Sequence, residues 1–276
     1  MKSPARNKRT EQFLGIDLGG AKSSRTALAT LDYYPREEKL FLLDIVLGIG
    51  PEGGQTGDEA LLEIIAECEG TLAAIGVSAP LSLPRCFECT SAKCVSSKKC
   101  SDPGVKWAQS LKLKGSAFLP YTQRPVEQWV RADVFPRLSA HARFEVDEAL
   151  GANKAPLAAR IRYLRRFFPK KTALFEIWPK LTAGVLGTLF RVPGSTLANL
   201  RQLEVGEAAR ARFLEIVLDR CDIFVYDRDL RKLTQHLSAF DAFLIAYTSF
   251  LAKTGHSQRP PKAFDPKWGW VQFPRE

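Results

Sequence analysis

FLGIDLGG, residues 13–20, is the stretch of sequence that decides the fold. It is an apolar run interrupted by a single acid, Asp17, and followed at once by the glycine pair Gly19 and Gly20. That pattern is typical of a buried strand that runs into a turn. The sequence therefore predicts a first strand with Asp17 at its end.

The flanking sequence predicts two more strands, a helix and a fourth strand. Apolar runs at 26–31 and 39–47 are joined by a short polar connection, which predicts antiparallel hairpin partners. A helical pattern follows behind Asp58 as the expected N-cap, and residues 71–80 form the next buried strand. The order βββαβ predicts an α/β protein with a ribonuclease H-like mixed sheet flanked by helices.

Beyond that core the pattern alternates between helix and strand. Helices are predicted within 124–135 and 157–168, and a strand over 171–178 carries Glu176 near its C-terminal end. Three helical segments follow Pro179. The last of them, 234–253, carries Asp241 beside an apolar stripe formed by Leu237, Phe240, Phe243, Leu244, Tyr247 and Leu251.

The domain organisation expected from this pattern is simple. No internal repeat or low-complexity linker divides the chain, so residues 1–276 are predicted to form a single domain. Residues 84–120 are polar, cysteine-bearing and short of long periodic segments. We interpret them as a cysteine-rich insertion within that domain.

The charge balance favours an anionic partner. Lysine and arginine number 40 against 30 aspartates and glutamates, giving a net charge of +10 and a pI near 9.4. Such an excess attracts polyanions by displacing their counterions. Nucleic acid is the expected partner, although a basic surface that only maintains solubility is the simpler alternative.

Membrane insertion and secretion are not expected. No stretch approaches the roughly 20 apolar residues of a membrane span, and residues 1–12 are basic and polar with no apolar signal core behind them. Four of the six cysteines crowd one segment, which suits a metal site in a reducing compartment better than a disulfide framework. These features predict a cytoplasmic protein; the oligomeric state stays open.

Three carboxylates are the candidate catalytic residues and metal ligands. Asp17, Glu176 and Asp241 are far apart in sequence, yet their positions in a βββαβ sheet are expected to meet beside the central strands. Clustered carboxylates repel one another unless a cation neutralises them, and oxygen ligands suit Mg²⁺ or Mn²⁺. Such a centre would hydrolyse phosphodiesters. The alternative is that each acid is solvated or paired with an arginine.

The cysteine segment is a second candidate metal site. Its spacing is C-x₂-C-x₄-C-x₅-C, and its members are Cys86, Cys89, Cys94 and Cys100. Four thiolates satisfy one tetrahedral Zn²⁺ and leave no open position, so zinc would be structural. An iron–sulfur cluster is the alternative, and unligated structural cysteines are the simplest reading.

A basic segment is the candidate nucleic-acid surface. In ARIRYLRRFFPKK, residues 159–171, cationic side chains interleave with aromatic ones. The predicted backbone-binding residues are Arg160, Arg162, Arg165 and Arg166. The alternative is a helix face that is simply solvated.

Several segments together resemble a known family. They are FLGIDLGG, AAIGVSAPLSLP, LFEIWP, FDAFLIAYTSFLA and WGWVQFP, which in this order are similar to the domain of unknown function 429 family, a family of predicted nucleases of ribonuclease H fold. The resemblance spans nearly the whole chain. It implies a metal-dependent nuclease in which Asp17, Glu176 and Asp241 are the carboxylates.

The chain departs from the family's pattern at one position, and other residues resemble a polar cluster near the family's site. Where the family usually has an aspartate, this chain has Ser78, a neutral and weaker ligand. That substitution puts metal affinity and activity in question. Thr122, Arg124 and Glu127 resemble a polar cluster near the family's site, where, with Ser78, they would support the carboxylates rather than bind metal.

Two other function classes stay open from the sequence. GIDLGGAKSS, residues 15–24, also resembles the first phosphate loop of sugar kinases and other actin-like ATPases, although no second such half is found after residue 150. The other class is a catalytically inactive module that binds nucleic acid, in which Ser78 marks the decay of a metal site.

Overall fold

A computed structural model describes residues 10–113 and 118–275. The expected absence of a signal segment at the N-terminus falls largely on residues 1–9, and part of the 84–120 insertion falls on 114–117; both stretches lie outside the described residues. The strands are β1 (Glu11–Asp17), β2 (Thr26–Tyr34), β3 (Lys39–Ile49), β4 (Leu72–Val77), β5 (Ala173–Glu176) and β6 (Ile223–Phe224).

Helices follow β3, β4, β5 and β6 along the chain. They are α1 (Gly57–Glu67), α2 (Pro103–Ser110), α3 (Pro125–Trp129), α4 (Lys154–Leu164), α5 (Pro179–Leu189), α6 (Gly194–Asn199), α7 (Gly206–Cys221), α8 (Asp227–Gln235) and α9 (Leu237–Thr254).

The strands form one six-stranded mixed sheet in the order β5-β4-β1-β2-β3-β6. β2 is antiparallel to both β1 and β3, as expected for the two hairpins. β4 and β5 run parallel to β1, and the short β6 runs parallel to β3 at the other edge. The chain is therefore an α/β protein with a mixed sheet, as predicted.

β1 lies near the middle of the sheet and is buried on both faces, which explains its almost uninterrupted apolar sequence. Phe13 points into the core beneath α9, and Leu14 and Ile16 point into the opposite core. Gly15 lies so close to α9 that a β-carbon there would overlap the backbone of Ala242. The glycine thus sets how closely α9 approaches the sheet.

Helices cover both faces of the sheet. On one face α9 packs across β1, β2 and β4, with α5 and α8 against it and α7 against both. Its buried stretch from Ala239 to Ser249 is enclosed nearly all round, so the predicted stripe understates the burial of this helix. The opposite core is closed by α1 through Leu61 and by α4 through Ile161.

Most predicted elements are confirmed, and the differences have local causes. α1 begins behind Thr56 rather than Asp58, because the Thr56 side chain accepts from the Glu59 N–H while Glu59 caps Thr56 in return. The helix predicted within 124–135 is α3 followed by a π-helical turn, Val130–Val134. β6 and the strongly polar α8 were not predicted.

In the part of the chain that the structure describes, no helix combines the length and apolar character that crossing a membrane would require.

Candidate functional site

The candidate site lies where three parallel strands end side by side. Asp17 is the last residue of β1, Ser78 follows β4 directly, and Glu176 is the last residue of β5. Pairing of Ile16 with Val77 and of Val77 with Glu176 sets the three ends in register. The carboxyl ends of parallel strands are a common location for ligand sites in α/β sheets.

Asp17 is held by its neighbour on β4. Ser78 Oγ donates to Asp17 Oδ1 at 2.9 Å and accepts from the Leu18 N–H at 3.0 Å. Burial, and then the charge of Asp241, raise the pKa of Asp17 from 3.8 to about 7, against the opposing effects of Ser78, Lys154 and Arg201. At neutral pH this carboxyl group can therefore both accept and release a proton.

Asp241 reaches the same place from the first part of α9. Arg201 neutralises it through two hydrogen bonds, Nη1 to Oδ2 at 2.8 Å and Nη2 to Oδ1 at 2.6 Å. This fork-to-fork pairing is the strong form of an arginine–carboxylate contact. No local motif marks Arg201 as a site residue, because its partner Asp241 lies 40 residues further along the chain, in α9.

Glu176, a predicted metal ligand, forms an ion pair with Arg124. Arg124 donates to both of its oxygens at 2.7 Å, and the Leu81 N–H and Trp178 Nε1–H donate to them as well, at 2.8 and 3.0 Å. The side chain is also almost completely buried. Glu176 is thus the acceptor of a buried ion-pair network with Arg124, and its role as a third metal ligand stays a prediction.

The same network contains two of the predicted supporting residues. Glu127 pairs with Arg124 at 2.8 Å, and both side chains are fully buried. Burial raises the pKa of Glu127 to about 7, although the Arg124 charge opposes this. Burial alone would lower the pKa of Arg124, but the charges of Glu127 and Glu176 outweigh burial and raise it. Thr122 takes no part in this network; it contacts Leu119 and Leu150.

A pocket of about 90 Å³ opens over these strand ends. Its walls include Ser78 together with the aromatic side chains Phe144 and Trp178. Four of its charged lining residues are basic and three are acidic: Arg124, Lys154, Lys180, Arg201, Asp17, Asp147 and Asp241. Glu176 does not line it. Sequence reasoning missed Lys154, Lys180, Asp147 and Arg201, which come from connections and helix ends without a recognisable motif.

The donor set of the pocket fits a cation only in part. Among residues 10–113 and 118–275, no group of three or more His, Cys, Asp or Glu side chains is arranged to hold a metal ion. Asp17 and Asp241 remain, close enough for one to raise the pKa of the other. Magnesium is often bound by one or two carboxylates, with water and substrate phosphate completing its shell. Asp17 and Asp241 are therefore the two carboxylates of the pocket that suit one such ion, whereas Glu176 is engaged by Arg124.

The four predicted zinc ligands surround one surface pocket. Cys86, Cys89 and Cys94 are exposed and Cys100 is partly buried, and all four line a pocket of about 560 Å³. Burial, followed by the charges of the three other thiols, raises the pKa of Cys86, which identifies them as near neighbours. The four thiols have the number and type that a zinc site requires, but they do not lie at metal-ligand distances from one common point.

The basic segment at the C-terminal end of α4 matches its prediction in part. Arg162, Arg165 and Arg166 are exposed, beside the exposed aromatic pair Tyr163 and Phe167. The expected surface position is wrong for Arg160, which is buried. Arg160 binds Asp58 Oδ1 at 2.7 Å, the Gly19 carbonyl at 2.7 Å and Thr26 Oγ1 at 3.1 Å.

The glycine turn after β1 bears on the kinase-like alternative. The Gly19 N–H donates to Thr26 Oγ1 at 3.1 Å, and its carbonyl accepts from Arg160. The amide that a phosphate loop would present at Gly19 is therefore already used inside the fold. This arrangement favours a structural turn over a nucleotide-binding one.

Comparison of the chain with protein-family models, with curated proteins and with solved structures gave no match.

Proposed function

We propose that this protein hydrolyses phosphodiesters at the Asp17 pocket. The observation that carries the proposal is the Asp17 carboxyl group, whose pKa is raised to about 7 in a pocket that also presents basic side chains. A general base works best when its pKa lies near the working pH, and a cationic wall favours a phosphate group.

The strand order supports a ribonuclease H-like fold as part of this proposal. Three antiparallel strands followed by a helix and a parallel strand give the βββαβ order, and β5 extends the sheet beside β4. With the motifs quoted above, this order is the basis for proposing membership of the domain of unknown function 429 family.

The chain's own residues can divide the reaction between them. Asp17 takes a proton from water as the water oxygen bonds to phosphorus; the bond to the leaving oxygen breaks, and that oxygen takes a proton from solvent. Lys154 and Lys180 contribute positive charge to the phosphate, and α5 begins at the pocket with Pro179, so its positive end faces the same space. Ser78 keeps Asp17 in place.

A magnesium or manganese ion belongs to this proposal at Asp17 and Asp241 alone. When bound, such an ion would neutralise charge that develops on the phosphate oxygens. Arg201 already neutralises Asp241. Arg201 therefore competes with an ion at this carboxylate, and Ser78 adds no charge to attract one.

Nucleic acid is the proposed substrate class. The net charge of +10 favours a polyanion. Arg162, Arg165 and Arg166 stand exposed beside Tyr163 and Phe167, a combination that suits phosphates and stacked bases. Lys154, the first residue of α4, lines the pocket, and α4 ends at Leu164 within this surface, so the helix connects the surface with the candidate site.

We also propose that the cysteine pocket binds one structural zinc ion in a reducing, cytoplasmic setting. The support is the gathering of four thiols around one pocket in a segment that has few buried residues to hold it together. Metal ligation commonly replaces a hydrophobic core in such short segments.

The test is cleavage of labelled single-stranded and duplex DNA and RNA with Mg²⁺, with Mn²⁺ and with EDTA. We expect the wild type to cleave and Asp17→Asn to lose at least about 100-fold of its cleavage activity. Asp219→Asn, a matched change at an exposed acid on α7, should cleave as the wild type does. Equal cleavage by the two variants would refute the proposal. Binding without cleavage by the wild type would point to the inactive module, and ATP hydrolysis to the kinase-like class.

A further inference from the structure

A second groove adjoins the Asp17 pocket and has not been given a role above. Its volume is about 440 Å³, and it shares Phe144, Lys180 and Arg201 with the smaller pocket. The groove and the pocket are therefore adjacent, separated by these three side chains. A ligand held in the pocket by its phosphate would extend naturally into this groove.

The groove has one sign of charge. Every ionisable residue among those that line it is basic: His141, Arg143, Lys180 and Arg201. Asp17, Asp147 and Asp241 line the small pocket but not the groove. A single-sign lining concentrates ligands of the opposite charge, so the groove is suited to an anion.

The cations of the groove differ in how they are engaged. Arg201 is committed to Asp241, and Lys180 lies 3.5 Å from Asp147 and 6.0 Å from the centre of the Phe144 ring. Arg143 is exposed, and no described residue forms an ion pair with it. Arg143 is thus the groove cation with its charge available for a ligand.

An aromatic surface stands beside these charges. Phe144 is partly buried and packs edge-on against Phe135, with ring centres 5.1 Å apart, which fixes its orientation. The rest of the groove surface is formed largely by small residues such as Ala142, Ala183 and Gly184. Lys180, whose Nζ lies 6.0 Å from the Phe144 ring centre, is a large side chain that a flat group stacked on this ring would have to displace.

We propose that this groove is a subsite for the nucleotide next to the scissile phosphate of a single-stranded nucleic acid. Arg143 binds the neighbouring phosphate and Phe144 stacks against a base. The 90 Å³ pocket accommodates a phosphate group, and the groove falls within the roughly 300–1,000 Å³ typical of sites for organic ligands. This subsite deepens the proposed function and rests on it for the identity of the reacting phosphate.

The experiment measures binding without catalysis. A fluorescent eight-nucleotide oligothymidylate is titrated with protein in EDTA at several salt concentrations, and the dissociation constant is taken from anisotropy. For Arg143→Gln we expect binding about 3- to 10-fold weaker and a salt slope lower by about 0.7, the value for one phosphate contact to a single strand. Arg143→Lys keeps the charge and should retain the slope.

Two further variants make the result specific. Arg259→Gln changes an exposed arginine that lines neither space and should bind as the wild type does. Arg162→Gln tests the α4 surface. An unchanged dissociation constant and slope in Arg143→Gln overturn the subsite. Wild-type binding that depends on Arg143 without any cleavage leaves the subsite standing and refutes only the hydrolase proposal.

Discussion

Ser78 Oγ donates to Asp17 Oδ1 at 2.9 Å and accepts from the Leu18 backbone N–H at 3.0 Å. One hydroxyl therefore joins the ends of two adjacent parallel strands and orients the acid that the sequence singles out first. Where the resembled family would place a second carboxylate, this chain has a neutral group that lowers the pKa of Asp17 instead of raising it.

Replacing Ser78 tests this arrangement. Ser78→Ala removes a donor from Asp17 and leaves the Leu18 N–H without its acceptor, so we expect the free energy of unfolding to fall by about 1–3 kcal/mol. The pKa of Asp17 should rise further, because the lost hydrogen bond favoured the charged form. Urea unfolding and the pH dependence of cleavage measure the two effects.

The size of the activity change decides what Ser78 does. A positioning hydroxyl predicts a loss of cleavage of about 10-fold or less at the pH optimum, and Ser78→Thr should restore most of it. A loss beyond about 1,000-fold with little change in stability would identify Ser78 as the attacking nucleophile. That result would contradict the assignment of water to this role.

Asp17 should weaken the fold as the pH rises. Because burial and Asp241 raise its pKa from 3.8 to about 7, the native state keeps a proton between these values that the unfolded state has released. The stability contributed by Asp17 is therefore lost as the pH rises from about 4 through 7, by at most about 4 kcal/mol. Below about pH 4 Asp17 is protonated in both the native and the unfolded state, so it no longer makes the stability depend on pH.

Asp17→Asn removes this cost and keeps an oxygen for Ser78. We expect the variant to be more stable than the wild type by on the order of 2–4 kcal/mol at pH 8, and equal to it near pH 4. Unfolding by urea at the two pH values measures the difference, with Asp219→Asn as the control. Equal stability of Asp17→Asn and wild type at pH 8 would contradict the raised pKa.

Local pattern was sufficient to predict the first five strands and insufficient to predict the contacts of the site. Apolar runs bounded by turn residues predicted β1 to β5 and placed Asp17 and Glu176 at strand ends, because strands buried in the sheet favour such runs. What the carboxylates bind depends on partners remote along the chain. Arg124 lies 52 residues from Glu176, and no local pattern encodes that contact.

The same reason explains the other differences. Arg160 belongs to a run of arginines that looks uniformly exposed, yet Asp58 and the turn at Gly19 draw it into the interior. The short β6 pairs with β3 at only two positions, too few for any periodic signal. Tertiary contacts, rather than local propensity, determine the burial of Arg160 and the pairing of β6.

The ion-pair network around Glu176 yields a direct test of its role. If Glu176 serves the network with Arg124 and Glu127, Glu176→Gln should cost about 3–5 kcal/mol of stability and leave Mn²⁺ affinity unchanged. Asp241→Asn should weaken Mn²⁺ binding instead, because it removes one of the two fitting carboxylates. Calorimetric titration with Mn²⁺ and urea unfolding provide the data. A tenfold loss of Mn²⁺ affinity in Glu176→Gln would restore the three-carboxylate centre.

Arg201 should keep the pKa of Asp17 from rising further by neutralising Asp241. Arg201→Gln leaves Asp241 beside Asp17 without its bidentate partner, so the pKa of Asp17 should rise, since Arg201 lowers it. We expect the acid limb of the pH–rate profile to move to higher pH and stability to fall by about 1–3 kcal/mol. Arg212→Gln, which breaks an exposed pair with Glu215, should cost no more than about 0.5 kcal/mol.

Zinc at the cysteine pocket is testable without reference to catalysis. Purified protein should contain about one zinc per chain by elemental analysis, because four thiolates fill one tetrahedral site. Removal with a strong chelator should lower the melting temperature and increase proteolysis within residues 84–113, and Cys89→Ser should do the same. Cys68→Ser changes a cysteine outside this pocket and should retain both metal and stability. Iron with a visible absorbance would indicate an iron–sulfur cluster instead, and a metal content unchanged in Cys89→Ser would contradict the site.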